Sequence, residues 1–487
     1  MVFPAPSFEP YTLSPLDHTP PPMHMTAFLT FKLEHPARAT SVLEAGVGHL
    51  ISNLPFLTGN VTTTSPLRCK KKAVQVHPTT PALLEQYPML KVKYHPRRYI
   101  SSPPNQVPSS AVQEHTVSYD VMFNEDYLPL PFDNAIAEKS PIFRLQANIL
   151  EDGVILCVSF HHMAMDGKGL ENVIEVLSMC CQDPDKNVLP EMIPTSATKE
   201  GLTRKRILGT ASAVNIALSS INEEPRNLEV PVGHSIQEQI TRKLVLCDSK
   251  ITQLQERCIT LEKAPTMLSR NDIISAILWL CVMRARALIS PDTAQEMSHL
   301  VTGIDVRTIL RPIIPQTYIG NSMQVVSIES PFPTDAALKA SPGLLENPSP
   351  NRGMRTPLDE TDIPFLTQLA LAIRRGLILV DEKCARENIS RIVEKPDWRS
   401  PDIIMGHIMQ SSLRRMKFYK LDFGAVLGKI CDLDNPDPRI NGLAWILPAR
   451  FEGAPWEVRM VLEPEVMELV RKDSLFRWVE YKEVSRI

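Results

Sequence analysis

No apolar run in the chain is long enough to cross a bilayer. The longest, IISAILWLCVM at residues 273–283, is about half of the roughly 20 residues a membrane span needs. Being apolar on every side, it reads as a helix buried inside the protein. The nine cysteines contain no C-x-x-C pair, and an odd number cannot all pair internally, so reduced thiols in a cytoplasmic protein are expected. The opening residues MVFPAPSFEP have neither a basic start nor an apolar stretch, which argues against a secretory signal. Asn60-Val61-Thr62 and Asn388-Ile389-Ser390 fit the glycosylation pattern but mean nothing without secretion. An excess of one charge is missing too. The formal net charge is −3, which supplies no field to hold a nucleic acid. A small-molecule partner fits better, and the chain is expected to act as a monomer. No internal repeat and no long low-complexity tract occurs.

What is present is length and proline. With 487 residues the chain exceeds one ordinary hydrophobic core, so two domains are expected. Proline accounts for 43 of them, well above the usual share of about 5%, which predicts long punctuated loops. Residues 1–195 read as an N-terminal domain, 196–235 as a polar, irregular crossover, and 236–487 as a C-terminal domain. Within the crossover, TRKRI (203–207) reads as a solvated surface patch, and the proline-rich stretch 331–361 as a mobile excursion. Strand and helix patterns interleave in both halves, so the class is α/β or α+β with mixed sheets. Residues 142–149 and 153–160 predict two strands joined at Glu151-Asp152-Gly153, where Asp-Gly is a strong hairpin signal. The second, GVILCVSF, is almost continuously apolar and should be covered on both faces.

That strand delivers the chain to HHMAMDGKG, residues 161–169. Functional side chains often sit where a rigid strand ends in a loop. Gly167 and Gly169 permit a reversal, and a helix follows with Leu170, Val173, Ile174, Leu177 and Cys181 on one face. Of twelve histidines only His162 has an aspartate four residues later. Three readings stand side by side. His161, His162 and Asp166 are ordinary zinc-ligand types, but neighbours on an extended chain point apart and no further His/Cys cluster is visible, so no metal is expected. His162 as a hydrogen-bonded interior histidine with Asp166 capping the helix is the plainer reading. Catalysis is the third, and capping and function can coexist at Asp166.

The rest of the sequence shifts the balance. DFGAVLG stands at 422–428, without the phosphate loop or HRD segment a kinase would carry. Together with HHMAMDG it closely resembles the BAHD acyltransferases, which carry H-x-x-x-D-G in one domain and a DFG motif in the other. SPLDH near the start, LPFLTGNV (54–61), NDIISAILWLCVMRAR and GIDVRTILRPIIPQTYIGN (303–321) resemble further family landmarks in the right order. The resemblance spans essentially the whole chain and is strongest to the fungal branch that includes trichothecene 3-O-acetyltransferase.

The resemblance implies two chloramphenicol-acetyltransferase-like domains of similar size with a channel between them, entered by acyl-CoA and a hydroxylated acceptor. No permanently bound cofactor is implied; acetyl-CoA would be the co-substrate. The acceptor would be a secondary metabolite such as a terpenoid or alkaloid. His162 would be the general base. Asp166 would pair with Arg307 and hold the loop, with Gly167 letting the backbone turn, and His161 would pack or hydrogen-bond. Asp422, Phe423, Gly424 and Gly428 would shape the structure around the CoA channel. Ser411 and Ser412 would line the substrate or oxyanion, and Asn321 would anchor a loop. Departures fall at Leu413 and Ala425, where the family usually has tryptophan, and at Ile309 in place of a second arginine. Arg414, Arg415 and Lys417 could face CoA phosphates or be solvated. Two alternatives share the fold: a condensation-type enzyme taking its acyl group from a carrier protein, and a catalytically silent ligand-binding relative.

Overall fold

The computed structural model describes residues 6–62, 73–100, 123–131, 139–183, 185, 192–212, 239–262, 268–290, 297–331, 358–398 and 406–481. The N-terminal half contributes β1 (Tyr11–Thr12), β2 (His24–Lys32), β3 (Asn60–Thr62), β4 (Gln75–His77), β5 (Leu90–Tyr94), β6 (Ser140–Pro141), β7 (Phe143–Leu150) and β8 (Gly153–His161). The C-terminal half contributes β9 (Ile240–Leu246), β10 (Met297–Asp305), β11 (Met323–Pro331), β12 (Ile408–Ser412), β13 (Asp432–Asp434), β14 (Leu443–Ile446) and β15 (Trp456–Leu462).

The predicted hairpin is present, with β7 and β8 antiparallel and Leu150 opposite Gly153. β8 lies inside a five-stranded sheet of order β13-β2-β8-β7-β5, and all nine of its residues are buried. Its unbroken apolar run is what two covered faces require. β7 shows how the cover differs by face. Leu145, Ala147 and Ile149 join the main apolar core. The alternate Arg144, Gln146 and Asn148 are buried with their polar ends bonded to Tyr87, Asp126 and Tyr127 carbonyls. The helices Ala39–Asn53 and Gly167–Gln182 pack together on this core.

The C-terminal sheet has six strands, ordered β11-β10-β12-β14-β15-β9. The run singled out as a buried helix forms Arg270–Ile289, opened by a Ser269–Asp272 capping box, and packs with the Asp362–Ile378 helix in a second core. A third, smaller cluster joins the halves: Leu16, Ile207, Val306, Leu310, Ile314 and Tyr318 meet there.

Three expectations are corrected. The crossover is not irregular throughout, because Ala197–Ser212 is a helix. TRKRI, within that helix, is not simply solvated. Thr203 and Ile207 are buried, and the Arg204 guanidinium lies 3.9 Å over the Tyr11 ring. Finally, chain order misplaces the DFG region. Phe418, Phe423, Leu427, Ile430 and Leu433 belong to the N-terminal core, and β13 pairs with β2, Asp434 facing Phe28. The excursion at 332–357 lies outside the described residues.

Candidate active site

β8 ends at His161 on the sheet, and the loop that follows sends the two histidines different ways. His161 is 2% exposed, accepts from the Met163 amide at 3.3 Å through Nδ1, and meets His24 edge-to-face at 5.1 Å. Burial, with His24 and His162 nearby, holds its pKa well below the ordinary value, so it is a neutral packing residue. His162 is partly exposed. Its backbone N–H donates to Met23 O at 2.8 Å and its Nδ1 faces Met165 O at 3.4 Å. A carbonyl can only accept, so Nδ1 carries the ring proton and Nε2 presents its lone pair. Burial lowers the His162 pKa, against a smaller opposing pull from Asp166.

Asp166 performs both roles foreseen for it. As N-cap of the Gly167–Gln182 helix it accepts from the Gly169 amide at 2.8 Å. It also receives a bidentate contact from Arg307, Nη1 to Oδ2 at 2.9 Å and Nη2 to Oδ1 at 3.0 Å. Arg307 is 0% exposed and additionally donates to Asp305 and to the carbonyls of Tyr318 and Gly320. Burial opposes its charge, and the Asp166 and Asp305 carboxylates more than offset that, raising its pKa. His161, His162 and Asp166 therefore address three different sets of partners and do not converge on a common point.

Arg307 is only one of several ties. The segment Ile319–Ser322 of the C-terminal half is gripped through three of its amides by carboxylates from the N-terminal half and the crossover helix. Ile319 N–H donates to Glu200 (3.1 and 3.2 Å), Asn321 N–H to Asp17 (2.7 Å), and Ser322 N–H to Asp166 (2.9 Å). Asp17 lies in the SPLDH turn and Glu200 in the helix that composition concealed. Burial pushes Asp17 up to about 6 and Glu200 up to about 7. The sequence flagged Asp17 only as part of a family-like landmark and gave no sign of Glu200, since neither spacing nor periodicity marks a long-range carboxylate.

Ser411 and Ser412 end β12, in register with Trp445 and Ile446 of β14. The turn beyond them abuts the loop that carries His162, where a Cβ on Gly167 would lie 3.0 Å from Met416 and 3.3 Å from Leu413. Buried Glu171 clasps that turn by accepting from the Lys417 amide and from Lys168. Among the described residues no hydrogen bond joins either serine to His162. Arg414 is committed elsewhere, donating to Pro455 O at 2.8 Å and to Ala454 O, with its guanidinium 4.2 Å over Trp456. Arg415 and Lys417 are exposed.

DFG sits at the far end of the helix that His162 precedes. Gln182 donates to Asp422 O at 2.9 Å, Phe423 is 0% exposed and meets Phe31 edge-to-face at 5.0 Å, and the Phe423 amide donates to Gly428 O. Sixteen residues of helix separate the motifs by roughly 24 Å at 1.5 Å per residue.

The chain matches the family model described as Transferase family over residues 116–338. It matches the trichothecene 3-O-acetyltransferase-like N-terminal domain over residues 25–181. Over these residues the chain is similar to an acyltransferase family. It is 29% identical to the communesin N16 acyltransferase of Penicillium expansum, covering 97% of this chain and 98% of that one. It is 28% identical to the fumigaclavine B O-acetyltransferase of Aspergillus fumigatus, covering 98% and 99%. The chain also shares its fold with F. sporotrichioides TRI101, solved with coenzyme A and T-2, at a TM-score of 0.67, 20% identity, and 97% and 98% coverage. The mixed sheets in two halves are thus the fold the resemblance implied.

Proposed function

We propose that this acyltransferase moves an acetyl group from acetyl-CoA to a hydroxyl of a secondary metabolite such as a terpenoid or alkaloid, with His162 as general base. One observation carries the reading: a partly exposed, neutral imidazole offers Nε2 from a loop that buried ion pairs fix between the two halves. An alcohol is a weak nucleophile at neutral pH. As its oxygen attacks the thioester carbonyl, its proton passes to Nε2. The tetrahedral oxyanion then collapses, the C–S bond breaks, and the CoA thiolate takes the proton from the imidazolium. The products are an acetate ester and free CoA.

The relative named as a fumigaclavine B O-acetyltransferase supports a hydroxyl acceptor of this kind. The eight described cysteines are all free, which fits work in the reducing cytoplasm. Ser411 and Ser412 supply hydroxyls at the strand end next to the loop, a suitable place to meet the oxyanion.

The test is mass spectrometry of products from a panel of hydroxylated terpenoids and alkaloids incubated with acetyl-CoA. Wild type should yield a product heavier by one acetyl group. His162→Ala should lose about 10²- to 10⁴-fold in turnover while unfolding at nearly the same temperature. Activity close to wild type in that variant, or transfer only from a carrier-protein thioester, would overturn the reading.

A further inference from the structure

We propose that Asp17, near the start of the chain, is a positioning residue for His162, acting through Asn321. The inference rests on the base role assigned to His162.

Both intermediaries are fully enclosed, Asp17 and Asn321 each being 0% exposed. Asp17 Oδ1 accepts twice from Asn321, from its backbone amide at 2.7 Å and from Nδ2 at 3.1 Å. The other Nδ2 hydrogen goes to the carbonyl of His162 at 2.8 Å. Both acceptors are oxygens, so the amide can stand only one way round. Asn321 Oδ1 is buried without a hydrogen-bond partner among the described residues. An orphaned acceptor is costly, and it shows that the side chain is oriented by its donor end alone.

The His162 backbone is therefore clamped on both sides, its N–H by Met23 and its C=O by Asn321. Those two contacts set the direction of the Cα–Cβ bond. Among the described residues the ring has one long hydrogen-bond contact, to Met165 O at 3.4 Å, and a loose edge-to-face approach to Phe160 at 6.3 Å, so the aim of Nε2 depends chiefly on the backbone clamp. The Arg307–Asp166 pair acts four residues further on and cannot replace it. Asp17 Oδ2 has a separate duty, accepting from the Ser14 amide at 2.7 Å within its own turn. Removing Asp17 leaves Asn321 free to rotate and releases the His162 carbonyl. A displacement of about 1 Å in a reacting group can cost about 10²-fold in rate.

The experiment measures kcat, the KM for acetyl-CoA and the melting temperature, using the acceptor from the panel above that is acetylated fastest. Asn321→Ala and Asp17→Ala should each lower kcat roughly 10- to 100-fold, with KM for acetyl-CoA within about twofold. The double variant should be no slower than Asn321→Ala alone, because the two residues form one path. Asp17→Asn keeps an acceptor for Asn321 but turns its NH₂ toward the Ser14 amide, so kcat should be largely rescued while the melting temperature falls. A purely structural residue would instead make kcat follow stability across these variants. If Asp17→Ala does not fold, Asn321→Ala and Asp17→Asn decide. Normal kcat in folded Asn321→Ala, or losses that multiply in the double variant, would overturn the proposal. With His162→Ala inactive, that result removes only the role of Asp17; an active His162→Ala removes the base assignment itself.

Discussion

At the scale of the residue, the decisive question is which protonation state His162 holds. Burial lowers its pKa, and Asp166, which would favour the cation, is already bound by Arg307. A depressed value keeps Nε2 unprotonated below the pH at which a free histidine would charge. The acid limb of kcat/KM should therefore lie below the ordinary histidine value of about 6.5. A profile measured from pH 4.5 to 8 checks this, and a limb above 7 would show that the carboxylates, not burial, control the ring. Arg307 is the partner whose loss matters most. Removing one member of a buried ion pair costs roughly 3–5 kcal/mol, since the other charge is left stranded.

At the scale of the element, two glycines show what the motif spacing is for. A Cβ on Gly169 would stand 1.9 Å from Ile319 O, because the helix start and the gripped segment touch backbone to backbone there. Gly424 has φ +87°, and a Cβ on it would lie 2.8 Å from Gln182 Cα. Both observations explain a glycine by close approach rather than by chemistry. Gly424→Ala should destabilise the protein by about 1–3 kcal/mol, yet leave kcat of the folded enzyme near wild type, since the helix holds DFG at a distance from His162. Urea unfolding together with turnover at low temperature separates the two effects. A large fall in kcat at unchanged stability would mean that DFG takes part in the reaction. The helix signals were legible where apolar residues repeat, as in Arg270–Ile289. The Ala197–Ser212 helix was not, because its face toward the core is carried by threonines, Glu200 and Ile207 rather than by an apolar stripe.

At the scale of the whole molecule, buried titratable groups set the response to pH. His18, His24 and His407 are each lowered by burial to about 4, and His161 and His162 are lowered as well. Their folded values lie below the unfolded one, so the stability they contribute is present above about 6.5 and is lost as pH falls toward 4. Asp17 and Asp362, raised to about 6, and Glu200, raised to about 7, act in the opposite sense. Protonating these acids favours the fold as pH falls through the same window. The histidines are more numerous, so the melting temperature should drop by several degrees between pH 7 and pH 5. Calorimetry in buffers of matched ionic strength measures this, and a melting temperature that rises on acidification would show the carboxylates dominating.

The sequence by itself determined what short-range chemistry encodes. The β7–β8 hairpin follows from Asp-Gly between apolar runs, the buried helix from its unbroken apolar surface, and the candidate base from a histidine on the loop after a buried strand. The Arg307–Asp166 pair was legible only through resemblance. Tertiary structure alone decided the rest. Asp17, Glu200 and Asn321 acquire their roles from partners more than a hundred residues away, and Phe423 from a core built by the other half. No local pattern records such contacts, because burial and pairing of a lone polar side chain depend on which distant segment the fold brings against it.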